Sequence, residues 1–214
     1  MEFTLLFPYL YSAMRKSLIG SLACVACLFF AVAAHAQDKV SDKDFGALIE
    51  PLSKENWKSA ETISLSYLGR FKGKEDTADQ AAILRYMYIR CVGARLAAKQ
   101  YTPAVALAKV KRYTGKKIIT PVLQYKSHGV FNLITLNDDS TALFLCGANI
   151  AGTQIQTFEH YTLNDTAALA HVGELEGHNI RMFARIKTIT TAGVTMPRFE
   201  IALDNTDIYD AAEQ

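Results

Sequence analysis

Reactive and metal-binding patterns are scarce in this chain of 214 residues, which has four cysteines, five histidines and one tryptophan. No G-x-S-x-G turn is present to raise a nucleophile, and no G-x-x-x-x-G-K-[ST] or G-x-G-x-x-G loop to cradle a phosphate. Beyond residue 36 there is no Cys-x-x-Cys pair and no pair of histidines four apart, so the usual metal-ligand spacings are missing. His128, His160, His171 and His178 are scattered. Asn137-Asp138-Asp139 lacks the spaced acidic loop closing on Glu that calcium needs, and reads as a turn. No catalytic residue, metal ligand or cofactor is expected. Strong charge of one sign is also lacking, with 23 basic and 21 acidic residues, which weighs against a general nucleic-acid binder. No apolar run after residue 36 approaches the ~20 residues that span a bilayer. Half the residues are hydrophobic, which excludes a disordered chain.

What is present begins with an address. Met14-Arg15-Lys16 is followed by an apolar run from Leu18 to Ala33 and then Ala34-His35-Ala36. That is the layout of a secretory signal peptide, with cleavage expected after Ala36 and Met14 as an alternative start. Removing Arg15, Lys16 and Glu2 leaves 21 basic and 20 acidic residues, so the mature chain is nearly neutral. The protein is expected in the periplasm or outside the cell, with no membrane span after cleavage. An oxidising compartment permits a bridge between the two remaining cysteines, Cys91 and Cys146. Either also suits a small core position, Cys91 in a helical pattern and Cys146 in a strand pattern.

Residues 37–115 read as helices. Ser41 caps a short helix that stops near Pro51, and Ser53 is placed to cap the next. In that second helix Trp57, Ala60, Ser64, Leu68 and Phe71 recur at three- and four-residue spacing. Asp76 or Thr77 is the cap candidate for the longest helix, with Ile83, Tyr86, Met87, Arg90 and Ala94 on one side. Thr102 caps the last, Pro103 takes its first position and Gly115 ends it. Trp57 and Ala60 stand at matching places to Tyr101 and Ala104 in what read as two hairpins. This aromatic-x-x-Ala opening resembles the tetratricopeptide repeat over residues 42–114, without that family's fuller Trp-Leu-Gly-Tyr pattern. The resemblance makes Trp57 and Tyr101 candidates for a partner surface. An ordinary helical bundle is the alternative.

Residues 116–214 read as strands, in the order three strands, a short helix at "NDTAALAHV", then two strands, with a hairpin turn at Asn137 to Ser140. That order resembles the oligonucleotide/oligosaccharide-binding fold, a small five-stranded β-barrel. In particular it resembles the tRNA-anticodon-like barrels of exported bacterial proteins, carried by Glu176 to Ile180 leading into a strand and by "ALDNTDIY" closing the last one. The class expected is therefore α+β: TPR-like helical hairpins, then an OB-like β-barrel. Strands through Val130 to Leu136 and Ala142 to Cys146 are apolar on both faces, so the helical half is expected to dock over Phe131 and Phe144.

From Ile180 the side chains alternate, with Ile180, Met182, Ala184 and Ile186 on one face and Arg181, Phe183, Arg185 and Lys187 on the other. Cations flanking an aromatic can hold phosphates and stack a base, and the same residues also suit the wet side of a strand. Three functions follow. The first is a non-enzymatic exported interaction module, whose partner is another envelope protein. The second is a single-stranded nucleic-acid or oligosaccharide binder working through Arg181, Phe183, Arg185 and Lys187. The third is an enzyme converging on Glu159, His160 and Tyr161.

Overall fold

The structure, a computed structural model, describes residues 39–74, 76–125, 133–136, 142–148, 155–163 and 172–213. The leader, the Phe131 and Phe144 docking face, the Asn137–Ser140 turn and the "NDTAALAHV" helix lie outside the described side chains. Residues 40–214 form one compact unit. Among the described residues four helices come first: α1 (Asp42–Ser53), α2 (Trp57–Gly69), α3 (Asp79–Ala97) and α4 (Pro103–Val110). Ser41 caps α1 and Thr102 caps α4, each accepting a backbone N–H three residues on. The cap of α2 is not Ser53. Pro51 sits inside the last turn of α1, which runs on to Ser53, and the Ser53 hydroxyl donates back to the Glu50 carbonyl. Asn56 is left to cap α2, accepting from Ser59 N at 3.2 Å. Ala78, rather than Asp76 or Thr77, precedes α3, and it offers no capping side chain.

The one-sided burial expected for α3 is also corrected. Leu84, Arg85, Tyr88, Cys91 and Val92 are buried along with Tyr86, Met87 and Ala94. A helix buried all round lies between layers rather than on a surface. Here α2, α4 and the strands Lys117–Ile119, Ile155–Leu163 and Arg198–Asp210 all pack against it. The matched alanines of the two hairpins differ, Ala60 being fully buried and Ala104 exposed. In α4 the buried positions are Ala106 and Val110.

Among the described residues seven strand segments follow in one mixed sheet, so the chain is α+β as expected. They are β1 (Lys117–Ile119), β2 (Leu123–Tyr125), β3 (Leu133–Leu136), β4 (Ala142–Ala148), β5 (Ile155–Leu163), β6 (Asn179–Ala192) and β7 (Arg198–Asp210). The three strands expected before residue 164 are thus five segments. Pro121 accounts for one break, because it has no N–H to give the ladder. β1 and β2 both run antiparallel along β6, on either side of that proline. Across the gap the Met182 N–H donates to the buried Thr120 hydroxyl at 3.0 Å, which keeps a buried donor satisfied. β3, β4 and β5 pair antiparallel in succession, and β5 pairs parallel to β7. β6 and β7 form the longest ladder, joined by a turn in which Gly193 has φ +81°. A Cβ there would stand 2.4 Å from the Met196 carbonyl oxygen, so only glycine fits.

One hydrophobic core joins the two halves, drawing Leu48, Leu68, Leu84 and Ile89 from the helices and Ile118, Tyr161, Met182, Phe199 and Leu203 from the sheet. The helix and the sheet approach closely at Gly93 in mid-α3. A Cβ there would lie 3.0 Å from the Phe158 carbonyl oxygen and 3.2 Å from the Phe199 ring. Glycine in a helix interior costs about 0.5–1 kcal/mol against alanine, and here it admits two strands. Gly93→Val should therefore lose about 1–3 kcal/mol in urea denaturation despite the better helix former. An unchanged midpoint would show that α3 does not press on β5 and β7.

Candidate functional site

The burial of β6 follows its sequence alternation. Ile180, Met182, Ala184 and Ile186 are buried, while Arg181 and Phe183 are half-buried and Arg185 and Lys187 exposed. The second face opens into a cleft of about 680 Å³ lined by Phe183 and Arg185 together with Lys117, Asn205, Asp207 and Tyr209. Arg181 and Lys187 are not among its lining residues, so two of the four expected binding residues meet here and two do not. Phe183 and Tyr209 stand edge to face, with centroids 5.3 Å apart and planes at 87°. Lys117 Nζ lies 5.1 Å from the Phe183 centroid and 3.0 Å from Asp79 Oδ1. Arg185 donates to the Gly115 carbonyl.

A register shift shapes the cleft. Phe183 pairs with Asp207, but Arg185 pairs with Asp204, so β7 spends an extra residue over this stretch. Asn205 falls in it with φ +47°, a conformation asparagine tolerates better than most residues. A bulge bends its strand and re-aims the neighbouring side chains. Sequence reading missed Lys117, Asp207 and Tyr209 because each reaches the cleft through pairing with β6, and Asn205 because it enters at the register shift between the paired residues. The "LDNTD" stretch, one asparagine between two aspartates, was the available signal.

The two aromatic candidates for a partner surface are engaged within the fold. Trp57 meets the Phe158 ring of β5 at 5.2 Å and 73°. The Tyr101 hydroxyl donates to Glu61 at 3.0 Å, and the Arg95 guanidinium stacks 4.0 Å from the Tyr101 centroid. Glu61, only 4% exposed, also receives Arg95 at 2.7 Å and Lys109 at 2.9 Å. One carboxylate from α2 thereby ties α3 and α4.

Glu159, His160 and Tyr161 do not converge on a solvent-open site. In the pairing with β4, Leu145 faces Glu159 and Cys146 faces Thr157, leaving Phe158 as the extra residue of a bulge. Phe158 and Glu159 are consequently both buried against α3, and Tyr161 is fully buried as well. His160 is turned elsewhere, to Glu200 at 2.5 Å. Glu159 has no exposed surface and takes Arg90 of α3 at 2.7 Å, with Tyr86 beside that arginine at 3.4 Å. Burial pushes the Tyr86 phenol up to about 12. Cys91 is a free, buried thiol whose pKa burial also raises. Among the described residues, no three histidine, cysteine, aspartate or glutamate side chains are grouped to hold a metal ion, and no helix is long and apolar enough to cross a membrane.

Burial raises the Glu159 pKa above the ordinary carboxylate value, against the pull of Arg90. As pH rises past 4.5, the unfolded chain gives up this proton before the folded one does, so the native state loses ground in that window. Glu159→Gln removes the titration and keeps the shape. The stability of the natural protein relative to Glu159→Gln should fall between pH 4 and pH 7, measured by urea denaturation at both. A difference that grows with pH would mean that Arg90 outweighs burial.

The chain matches no protein-family model, no curated protein and no solved structure.

Proposed function

We propose that the protein is an exported, non-enzymatic binding module that uses the β6–β7 cleft to hold a hydroxyl-rich ligand, an oligosaccharide. Export rests on the Met14–Ala36 stretch of the sequence. The observation that carries the ligand class is the composition of the cleft: two aromatic rings beside both signs of charge and an amide. A sugar hydroxyl donates and accepts, so it can use the Asp207 carboxylate, both ends of the Asn205 amide and the cations of Lys117 and Arg185. Its C–H faces suit the Phe183 and Tyr209 rings. A phosphodiester only accepts, and Asp207 opposes it. The OB-like barrel reading supports the ligand class alone, since such barrels bind oligosaccharides and oligonucleotides, and their usual face lies on the second and third strands rather than on β6.

The nucleic-acid reading draws on the alternating Arg181, Phe183, Arg185 and Lys187. The two readings separate in an NMR titration with maltotriose, chitotriose and a short oligo-dT. A bound trisaccharide should shift Phe183 and Tyr209 saturably, with little change on added salt. Tyr209→Ala, which removes one exposed ring, should weaken that binding about tenfold, or ~1.4 kcal/mol. Oligo-dT binding that falls steeply between about 50 and about 200 mM salt, with no response to either sugar, would overturn the glycan reading in favour of the nucleic acid.

A further inference from the structure

A second cleft lies in the helical part, on residues that the β6–β7 site does not use. It has a volume of about 350 Å³. Its apolar lining is Leu65 and Leu68 of α2 and the Tyr113 ring, and its polar lining is Lys72, Arg85, Arg112 and Lys116. Four cations thus line one hollow, and among the described residues no carboxylate lines it. Charge of one sign around a concave, partly apolar surface concentrates its field inside the hollow.

The engagements of the four cations differ. Arg85 is 1% exposed and donates to the Lys117 carbonyl, so its charge is fixed in the wall. Lys116 meets Asp76 at 2.6 Å, an exposed pair at the rim. Arg112 is held against the Tyr113 hydroxyl at 2.8 Å and stacks 4.9 Å from that ring, which leaves its charge without a carboxylate among the described residues. Lys72 is exposed and has no ion pair among the described residues. Hydrogen bonds from such cations are the strong kind for a phosphate, with arginine supplying the fixed fork and lysine a mobile point charge. A single tetrahedral anion would leave much of the volume empty, and Leu65, 40% exposed, would stay wet beneath it.

We propose that this cleft binds a phosphate monoester carrying a short apolar body, with the phosphate on Lys72, Arg112 and Lys116 and the body on Leu65, Leu68 and Tyr113. The geometry serves a soluble ester and a lipid headgroup alike, since both present the same dianionic group beside an apolar stem.

The test is calorimetric titration of the protein with hexyl phosphate, inorganic phosphate and hexanol, with chemical-shift mapping on the natural sequence. Hexyl phosphate should bind saturably and at least about tenfold more tightly than inorganic phosphate, hexanol should not bind, and the shifts should centre on Leu65 and Tyr113. Lys72→Glu, at an exposed position, and Arg112→Gln should each weaken hexyl phosphate about tenfold or more while leaving the circular dichroism unchanged. Equal binding of the two phosphates, unchanged binding in both variants, or shifts centred on Phe183 and Tyr209 would overturn the proposal. Sedimentation with vesicles containing phosphatidic acid then tells the sources apart. Co-sedimentation that hexyl phosphate displaces assigns the site to a lipid headgroup, and protein left in the supernatant assigns it to a soluble ester.

Discussion

The contact between α3 and β5 organises the molecule, because it combines a fully buried charge with a close backbone approach. Glu159 has no solvent, so its ionised form depends on Arg90 reaching it across the layer boundary. Removing one partner of such a pair leaves a buried charge unanswered, at a cost of about 3–5 kcal/mol. Gly93 sits one helical turn along from Arg90 and lets the Phe158 backbone come in against the helix. The β5 bulge supplies the third condition, turning Phe158 and Glu159 toward α3 together. Phe158 then receives Trp57 edge-on and lies 5.4 Å from the Arg90 guanidinium. Helix position, strand irregularity and charge pairing are therefore one constraint, and residues 40–214 form one compact unit around it.

Charge is used in two ways. In the interior single carboxylates collect cations from elements distant in sequence: Glu159 takes Arg90, and Glu61 takes Arg95 and Lys109 along with the Tyr101 hydroxyl. These fix how the helices sit, since each partner must arrive from a different element to satisfy the same group. Nearer the surface the pairs are rim contacts such as Lys116 with Asp76 and Lys117 with Asp79. Exposed pairs of that kind contribute little to stability, and their cations stay close enough to water to meet a ligand.

Local chemistry made part of this readable in advance. Thr102 and Pro103 start a helix by satisfying or removing N–H groups that have no partner there, and the alternation of β6 records which face is dry. Those signals act over a few residues, and they predicted the α+β order and the dry face of β6. Readings that needed distant partners went differently. Ser53 and Asn56 are both good caps, and the choice between them depends on how far α1 runs past Pro51. Ala60 and Ala104 share a sequence context, yet one faces α3 and the other water. Trp57 has the pattern of a repeat signature, but its ring serves the joint with β5. The cleft residues Asn205, Asp207 and Tyr209 depend on a one-residue register shift between β6 and β7, which no periodicity announces.

The two clefts share a wall, and that wall is three residues long. The Gly115 carbonyl accepts from Arg185, a lining residue of the β6–β7 cleft. Lys116 lines the helical cleft and Lys117 the other, because successive side chains of an extended segment point to opposite sides. The Lys117 carbonyl in turn accepts from Arg85, whose guanidinium lines the helical cleft. Each lysine is tethered at the start of α3 or just before it, to Asp76 and Asp79. The Asp76 carboxyl is held below its ordinary value chiefly by its bond to Lys116, and the charges of Arg85 and Arg185 act on it from the two sides. A ligand that drew Lys116 away from Asp76 would act on the same short segment that positions Lys117 beside Phe183. Two sites built from different elements thus meet at one stretch of backbone, and its position is fixed by the pairing of β1 with β6.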